Sequence, residues 1–138
     1  MPKQGVEPDA LTRPFWDAAN EQRLVIQCCS RCGRLQHPPA ARCGECGGTA
    51  LEWKPMAGRG TIYHYCVVHD VPIRLLQRDQ PFNVAVIMLE EDPAIQMFSH
   101  LPGTPVDEVP VGAPVEVIFE TTANGQKVPE WRVVEAPR

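Results

Sequence analysis

Four of the six cysteines fall in two matched pairs, Cys29–Cys32 and Cys43–Cys46. Each pair reads C-x-x-C followed at once by glycine: Cys29-Ser30-Arg31-Cys32-Gly33 and Cys43-Gly44-Glu45-Cys46-Gly47, with ten residues between them. Two thiolates from one tight turn share a metal ion, and the glycine accepts the positive φ that curls backbone N–H groups toward the sulfurs. Two such turns facing each other make a closed tetrahedral four-cysteine site with no position left for substrate. The expected group is structural zinc, held by Cys29, Cys32, Cys43 and Cys46; iron shares the same ligand chemistry. Disulfides would suit an exported chain, but Met1–Asn20 is polar and proline-bearing, without the apolar segment of a signal peptide. A single C-x-x-C is compatible with a redox dithiol, whereas two at this spacing point to metal. Cys28 breaks the two-residue spacing and is a neighbour of the site, and Cys66, in the apolar run Tyr63–Val68, is expected as a buried thiol.

Other residues of catalytic type are poorly arranged for catalysis. His64, Cys66, His69 and Asp70 lie close together, yet on an extended strand His64 and Cys66 share a face that His69 does not. Packing of Cys66 beside a satisfied His64 is the simpler expectation. Glu90, Glu91 and Asp92 make an acidic run before Pro93, which reads as a solvated turn. No glycine-rich phosphate loop precedes a helix. Any catalysis is expected elsewhere.

A chain of 138 residues suits one modest domain plus a small appendage, whose metal must supply folding energy that so short a segment cannot draw from its own core. The net charge of −4 argues against nucleic acid, although the charge is uneven: Arg23, Arg31, Arg34 and Arg42 occur with no acid between Arg23 and Arg42. The segment Glu90–Glu135 carries nine acids against Lys127 and Arg132. No apolar stretch is long enough to span a membrane, and thiolate ligands without an export signal point to the cytoplasm.

Three parts position these residues. Residues 1–22 form a lead-in and a short helix, with Thr12 as its cap, Pro14 in its first turn and Asn20 at its end. Phe15 and Trp16 are too large to stay in water on a helix too short to stand alone, so they bury against their own domain or anchor a partner. Residues 23–54 form the ribbon, with Leu24–Ile26 entering the first turn and Ala50–Trp53 leaving the second. Residues 55–138 are mainly β: Gly58-Arg59-Gly60 opens a run, Thr61–Val68, that is apolar at both parities and is therefore expected inside the sheet, as is Phe82–Leu89. Val115, Val117 and Phe119 alternate with acids, and Val128–Val134, containing Pro129, reads as an edge strand. Five strands without helical periodicity fit a Greek-key barrel of the OB type. The long connection His69–Pro81 carries Val71, Ile73, Leu75 and Leu76 and is expected as a short helix packed on its own domain, with a covering flap or partner surface as the other reading.

Ordered signatures from all three parts resemble one family. They are Phe15-Trp16, Leu24-Val25-Ile26-Gln27, the two C-x-x-C-G turns flanking Pro38-Pro39, Leu51-Glu52-Trp53, Gly58–Tyr63, Pro81–Glu90, and Val111-Gly112 with Val115–Phe119. The chain is similar to the acyl-CoA-associated OB-fold proteins with an N-terminal rubredoxin-like zinc ribbon. That resemblance implies an accessory subunit of an acyl-CoA-processing complex. Its partner would be a thiolase-like enzyme that makes or breaks a carbon–carbon bond (thiolase, aldolase or C-acyltransferase), or a hot-dog-fold enoyl-CoA hydratase. It implies docking through the N-terminal helix, hence Phe15 and Trp16, and through the ribbon; it transfers no catalytic residue. Arg74 and Arg78 on the long connection are candidates for CoA phosphates, as are Arg31, Arg34 and Arg42 on the ribbon. A stand-alone acyl-CoA binder and a single-stranded nucleic-acid binder are the minor alternatives.

Overall fold

Short runs of β-branched residues bounded by Gly and Pro fold as two antiparallel sheets in the computed structural model, which describes residues 4–134. The N-terminal helix α1 (Arg13–Asn20) leads into a three-stranded sheet of β1 (Val25–Cys29), β2 (Leu35–Gln36) and β3 (Leu51–Pro55), in the order β2-β1-β3. The five-stranded sheet contains β4 (Arg59–Val68), β5 (Phe82–Leu89), β6 (Gln96–Ser99), β7 (Pro114–Thr121) and β8 (Lys127–Val133), in the order β6-β5-β4-β7-β8. A one-turn helix, α2 (Arg74–Gln77), sits in the β4–β5 connection. Every ladder is antiparallel, so the terminal strands β6 and β8 both run with β4 and meet side by side. Their meeting nearly closes the sheet into an OB-like barrel. Ser99 stitches this seam: its Oγ accepts the N–H groups of Trp131 (3.0 Å) and Leu101 (3.0 Å) and donates to Glu130 Oε2 (2.7 Å).

One apolar core runs through both sheets. Ile62, Ala85, Ile87, Leu89, Val115 and the fully buried Trp131 fill the barrel, and Phe15, Leu24 and Ile26 extend the same cluster into the helix and ribbon. The ribbon is therefore packed into the barrel's core and is no appendage. The β7–β8 turn grips α1 as well: Gln126 Nε2 donates to the Trp16 carbonyl (3.0 Å), and Asn20 Oδ1 accepts the Lys127 N–H (2.9 Å). In the Gly58-Arg59-Gly60 opening, both glycines are required by close approach. A Cβ on Gly58, whose φ is 76°, would lie 2.5 Å from Val117 Cγ1, and one on Gly60 would lie 2.5 Å from the Met88 carbonyl oxygen.

Several local expectations are corrected. Thr12 precedes α1 but makes no side-chain cap bond to it; its hydroxyl donates to Asp9 Oδ1 (2.8 Å) and accepts the Asp9 N–H. The Thr12 N–H bonds the same carboxylate and holds it below its ordinary range. The lead-in is pinned to the barrel where Asn124 Nδ2 donates to the Val6 carbonyl, while Met1–Lys3 lie outside the described residues. Cys66 is exposed, not buried, and His64 with it. The cause is pairing: β7 covers β4 only over Arg59–Thr61, and a bulge between Ile62 and His64 turns the distal half outward on a single ladder. Apolar residues at both parities of β4 thus do not report two-sided burial. The His69–Pro81 connection does contain a helix, but no residue of α2 is buried. Only Val71 turns inward, held by Gln80 Oε1 on its N–H and Gln77 Nε2 on its carbonyl, both at 3.1 Å. Ile73 and Leu75 stay exposed.

Candidate metal centre

Each C-x-x-C turn is built from the same two backbone hydrogen bonds. In the first, the Gly33 N–H donates to the Cys29 carbonyl (2.7 Å) and the Cys29 N–H to the Arg34 carbonyl (2.9 Å). In the second, the Gly47 N–H donates to the Cys43 carbonyl (3.0 Å) and the Cys43 N–H to the Gly48 carbonyl (2.8 Å). Both glycines have positive φ, 78° and 70°, with open space around the missing Cβ. Here glycine serves backbone conformation, not close packing.

The two turns bring Cys29, Cys32, Cys43 and Cys46 together, with all four sulfurs within 4.8 Å of one another. Cys29 Sγ lies 3.6 Å from Cys46 Sγ, and Cys32 Sγ lies 3.5 Å from Cys43 Sγ. A zinc–sulfur bond of about 2.3 Å implies a tetrahedral edge of about 3.8 Å, so the cluster needs only small side-chain movement to close on zinc. Cys28 is buried beside it, with its thiol turned to the Gly33 and Cys29 carbonyls. The thiols differ in acidity. N–H groups of Cys46 and Glu45 hold Cys43 down to about 6, and the N–H of Cys32 lowers Cys29. At Cys32 the N–H of Arg34 favours thiolate, but hydrogen bonding with Cys43, desolvation, and the neighbouring Cys29 and Cys46 outweigh it and push the group up to about 12. A bound dication turns all four into thiolates and releases protons. The four-sulfur set makes a closed structural zinc site.

A polar network that sequence analysis missed positions the second turn. Gln27 Oε1 accepts from Gln36 Nε2 (2.6 Å) and from the Ala40 N–H (2.9 Å), while Gln27 Nε2 donates to the Ala40 carbonyl (2.9 Å). Gln36 Nε2 also donates to the Arg42 carbonyl, and its Oε1 accepts the Gly44 N–H (3.0 Å). Two buried glutamines paired across β1 and β2 therefore fasten the loop that delivers Cys43. The available signal was a glutamine at the inner end of an otherwise apolar strand, Leu24-Val25-Ile26-Gln27.

The other predicted site residues lie apart from the cluster. Phe15 is buried in the shared core, with its ring 4.9 Å from Trp16, edge to face, and 5.4 Å from His37. Trp16 is half-buried and lines an apolar groove of about 430 Å³ with His37, Pro38, Phe98 and Pro129. Phe98 is 70% exposed, and burial lowers the pKa of His37 from its ordinary value. Arg74 and Arg78 are exposed on and just after α2, and Arg34 pairs with Glu45 at 3.0 Å.

A four-cysteine ribbon joined to an OB barrel through one core defines a zinc-ribbon/OB-fold protein. Residues 16–52 match the family described as "ChsH2, rubredoxin-like zinc ribbon domain", and residues 53–120 match "ChsH2, C-terminal OB-fold domain". The chain belongs to the family that these two domains define. Among curated relatives, it is 30% identical over 113 residues to a "DUF35 domain-containing scaffold protein" of Methanocaldococcus jannaschii, covering 80% of this chain and 78% of the relative. It is 36% identical over 102 residues to a "Probable enoyl-CoA hydratase alpha subunit" of Thermomonospora curvata, covering 73% of this chain but only 31% of that longer protein. Among solved structures, it superposes on a chain of the "Ltp2-ChsH2(DUF35) aldolase" with a TM-score of 0.81 and 29% identity, covering 94% of this chain and 98% of that one. A DUF35 protein of unknown function from Sulfolobus solfataricus shares the fold at 15% identity and a TM-score of 0.64, covering 91% and 86%. Among the described residues, no helix is long and apolar enough to cross a membrane.

Proposed function

We propose that this chain is a noncatalytic scaffold subunit of an acyl-CoA-processing complex, docked to a thiolase-like enzyme that makes or breaks a carbon–carbon bond. The observation that carries this reading is the near end-to-end likeness to the DUF35 chain of an aldolase, which spans ribbon and barrel together. Local chemistry supports it: the thiolate cluster has no open position for a substrate, and His64 and Cys66 project from an exposed half-strand with no described catalytic partner. In this scheme residues 1–22, 23–54 and 55–138 act as arm, ribbon and barrel. Trp16 and Phe98 form the apolar docking groove, and the buried Phe15 lines it with them. Arg74 and Arg78 are the proposed contacts to CoA phosphates.

A second reading, partner of an enoyl-CoA hydratase, is favoured by the 36% identity to a hydratase alpha subunit. Native mass spectrometry of the tagged chain, purified from its own host, separates the two. Co-purification of a thiolase-like chain supports the first reading, and a hot-dog-fold chain supports the second. A chain that stays alone and turns over acyl-CoA by itself would overturn the scaffold role. For the arginines, Arg74→Ala with Arg78→Ala should weaken CoA-ester binding by the complex at least tenfold; unchanged affinity removes them from the CoA site.

A further inference from the structure

Away from the cysteines, a second set of metal-ligating side chains converges at the barrel seam. His100 follows β6, while Glu120 on β7 and Glu130 on β8 share one face of their hairpin, diagonal across the pair Glu120↔Val128 and Ile118↔Glu130. His100 Nε2 lies 2.6 Å from Glu120 Oε1 and 3.8 Å from Glu130 Oε1, and one donor atom from each residue falls within 4.8 Å of the others. The three side chains are only partly exposed, 24%, 36% and 13% respectively. Glu130 is held in place: its Oε2 accepts from Ser99 Oγ (2.7 Å) and the His100 N–H (3.2 Å), which leaves Oε1 facing the imidazole. Two carboxylates thus share one imidazole, and among the described residues neither has a Lys or Arg partner.

We propose that His100, Glu120 and Glu130 bind a divalent transition-metal ion at the seam between β6 and β8. One imidazole nitrogen and two carboxylate oxygens are a donor set suited to zinc, cobalt or manganese, distinct from the all-sulfur set of the ribbon. Donors around one such ion at about 2.0–2.2 Å stand about 2.8–3.6 Å apart, so the two His100 spacings, 2.6 and 3.8 Å, require shifts below about 1 Å, within reach of Glu and His rotations. Three protein donors leave a coordination position for water, so this site is weaker than the closed one and exchanges its metal more readily. An ion there ties together β6, β7 and β8 where backbone ladders do not cross the seam.

The test uses the full chain loaded with one zinc at the ribbon, titrated with Zn²⁺ and separately with Co²⁺ near neutral pH. Calorimetry and metal analysis should show a second equivalent. Its cobalt form should lack the sulfur-to-metal charge-transfer band of a thiolate site. The combination His100→Ala with Glu130→Gln should lose the second equivalent and keep the first. If that variant folds poorly because the charged acceptor of Ser99 and the His100 N–H becomes a neutral amide, Glu120→Gln, which leaves the Ser99–Glu130 bond intact, should still weaken the second equivalent at least tenfold. A stoichiometry of one for the unmodified chain, or a second equivalent unchanged in Glu120→Gln, would overturn the proposal and leave a hydrogen-bonded latch.

Discussion

The ribbon and the barrel reach order by opposite routes. In the ribbon, β1 is buried along its whole length, yet the turns that follow it are exposed and carry little apolar surface. A metal site and a pair of glutamines hold them. In the barrel, order comes from Trp131, Ile62, Ile87 and their neighbours, with few buried polar side chains: Ser99 at the seam, Asn83 on β5 and Thr122 after β7. The difference teaches that the zinc orders the turns at the end of β1 and so helps hold Leu24 and Ile26, which belong to the same core as the barrel. The two regions should therefore fail together, though for different reasons.

The sharpest way to break this comparison is Cys32→Ser. Stoichiometric zinc should be lost and the two turns should lose amide dispersion in NMR spectra. The barrel should melt roughly 10 °C lower, because disordering Leu24 and Ile26 removes about 3 kcal/mol of shared packing. An unchanged barrel transition would show that the regions are independent. Trp131→Ala attacks from the other side: a cost of about 3–5 kcal/mol is expected in denaturant titrations, with one zinc still bound to the folded fraction. Loss of zinc in that folded fraction would mean that the barrel also shapes the metal site. Gln27→Leu is a smaller cut. It strands both backbone groups of Ala40 and leaves Gln36 Nε2 only its bond to the Arg42 carbonyl, costing about 1–3 kcal/mol, and should lower zinc affinity in chelator competition. Equal affinity would show that the cysteines alone place the second turn.

The smallest effect concerns His37 in the groove. Burial depresses its pKa, so the folded state resists its protonation while the unfolded chain, titrating near about 6.5, does not. The unfolded state binds more protons in that window. Stability is full above the unfolded value and declines as pH falls toward the folded one. His37→Phe should therefore show a shallower fall in melting temperature than the unmodified chain between about pH 7.5 and about 5.5. Identical slopes would show that His37 makes no contribution to the acid sensitivity.

The sequence by itself determined what depends on local spacing. The C-x-x-C-G turns, the zinc they imply, the short proline-bearing helix and the five barrel strands all follow from residue types a few positions apart, because turn geometry and strand alternation are short-range rules. Tertiary structure decided what depends on which strands become neighbours. Cys66 lies in a run that reads as buried, but β7 stops pairing with β4 after Thr61, so the thiol faces out. In α2, Leu75 stays exposed and Leu76 only half-buried for want of a facing layer. Gln27 meets Gln36 only because β1 and β2 pair, and His100 meets Glu120 and Glu130 only because parallel end strands close the barrel. Spacing specifies a turn; a seam, a shared core or a side-chain cluster exists only once distant strands have been brought side by side.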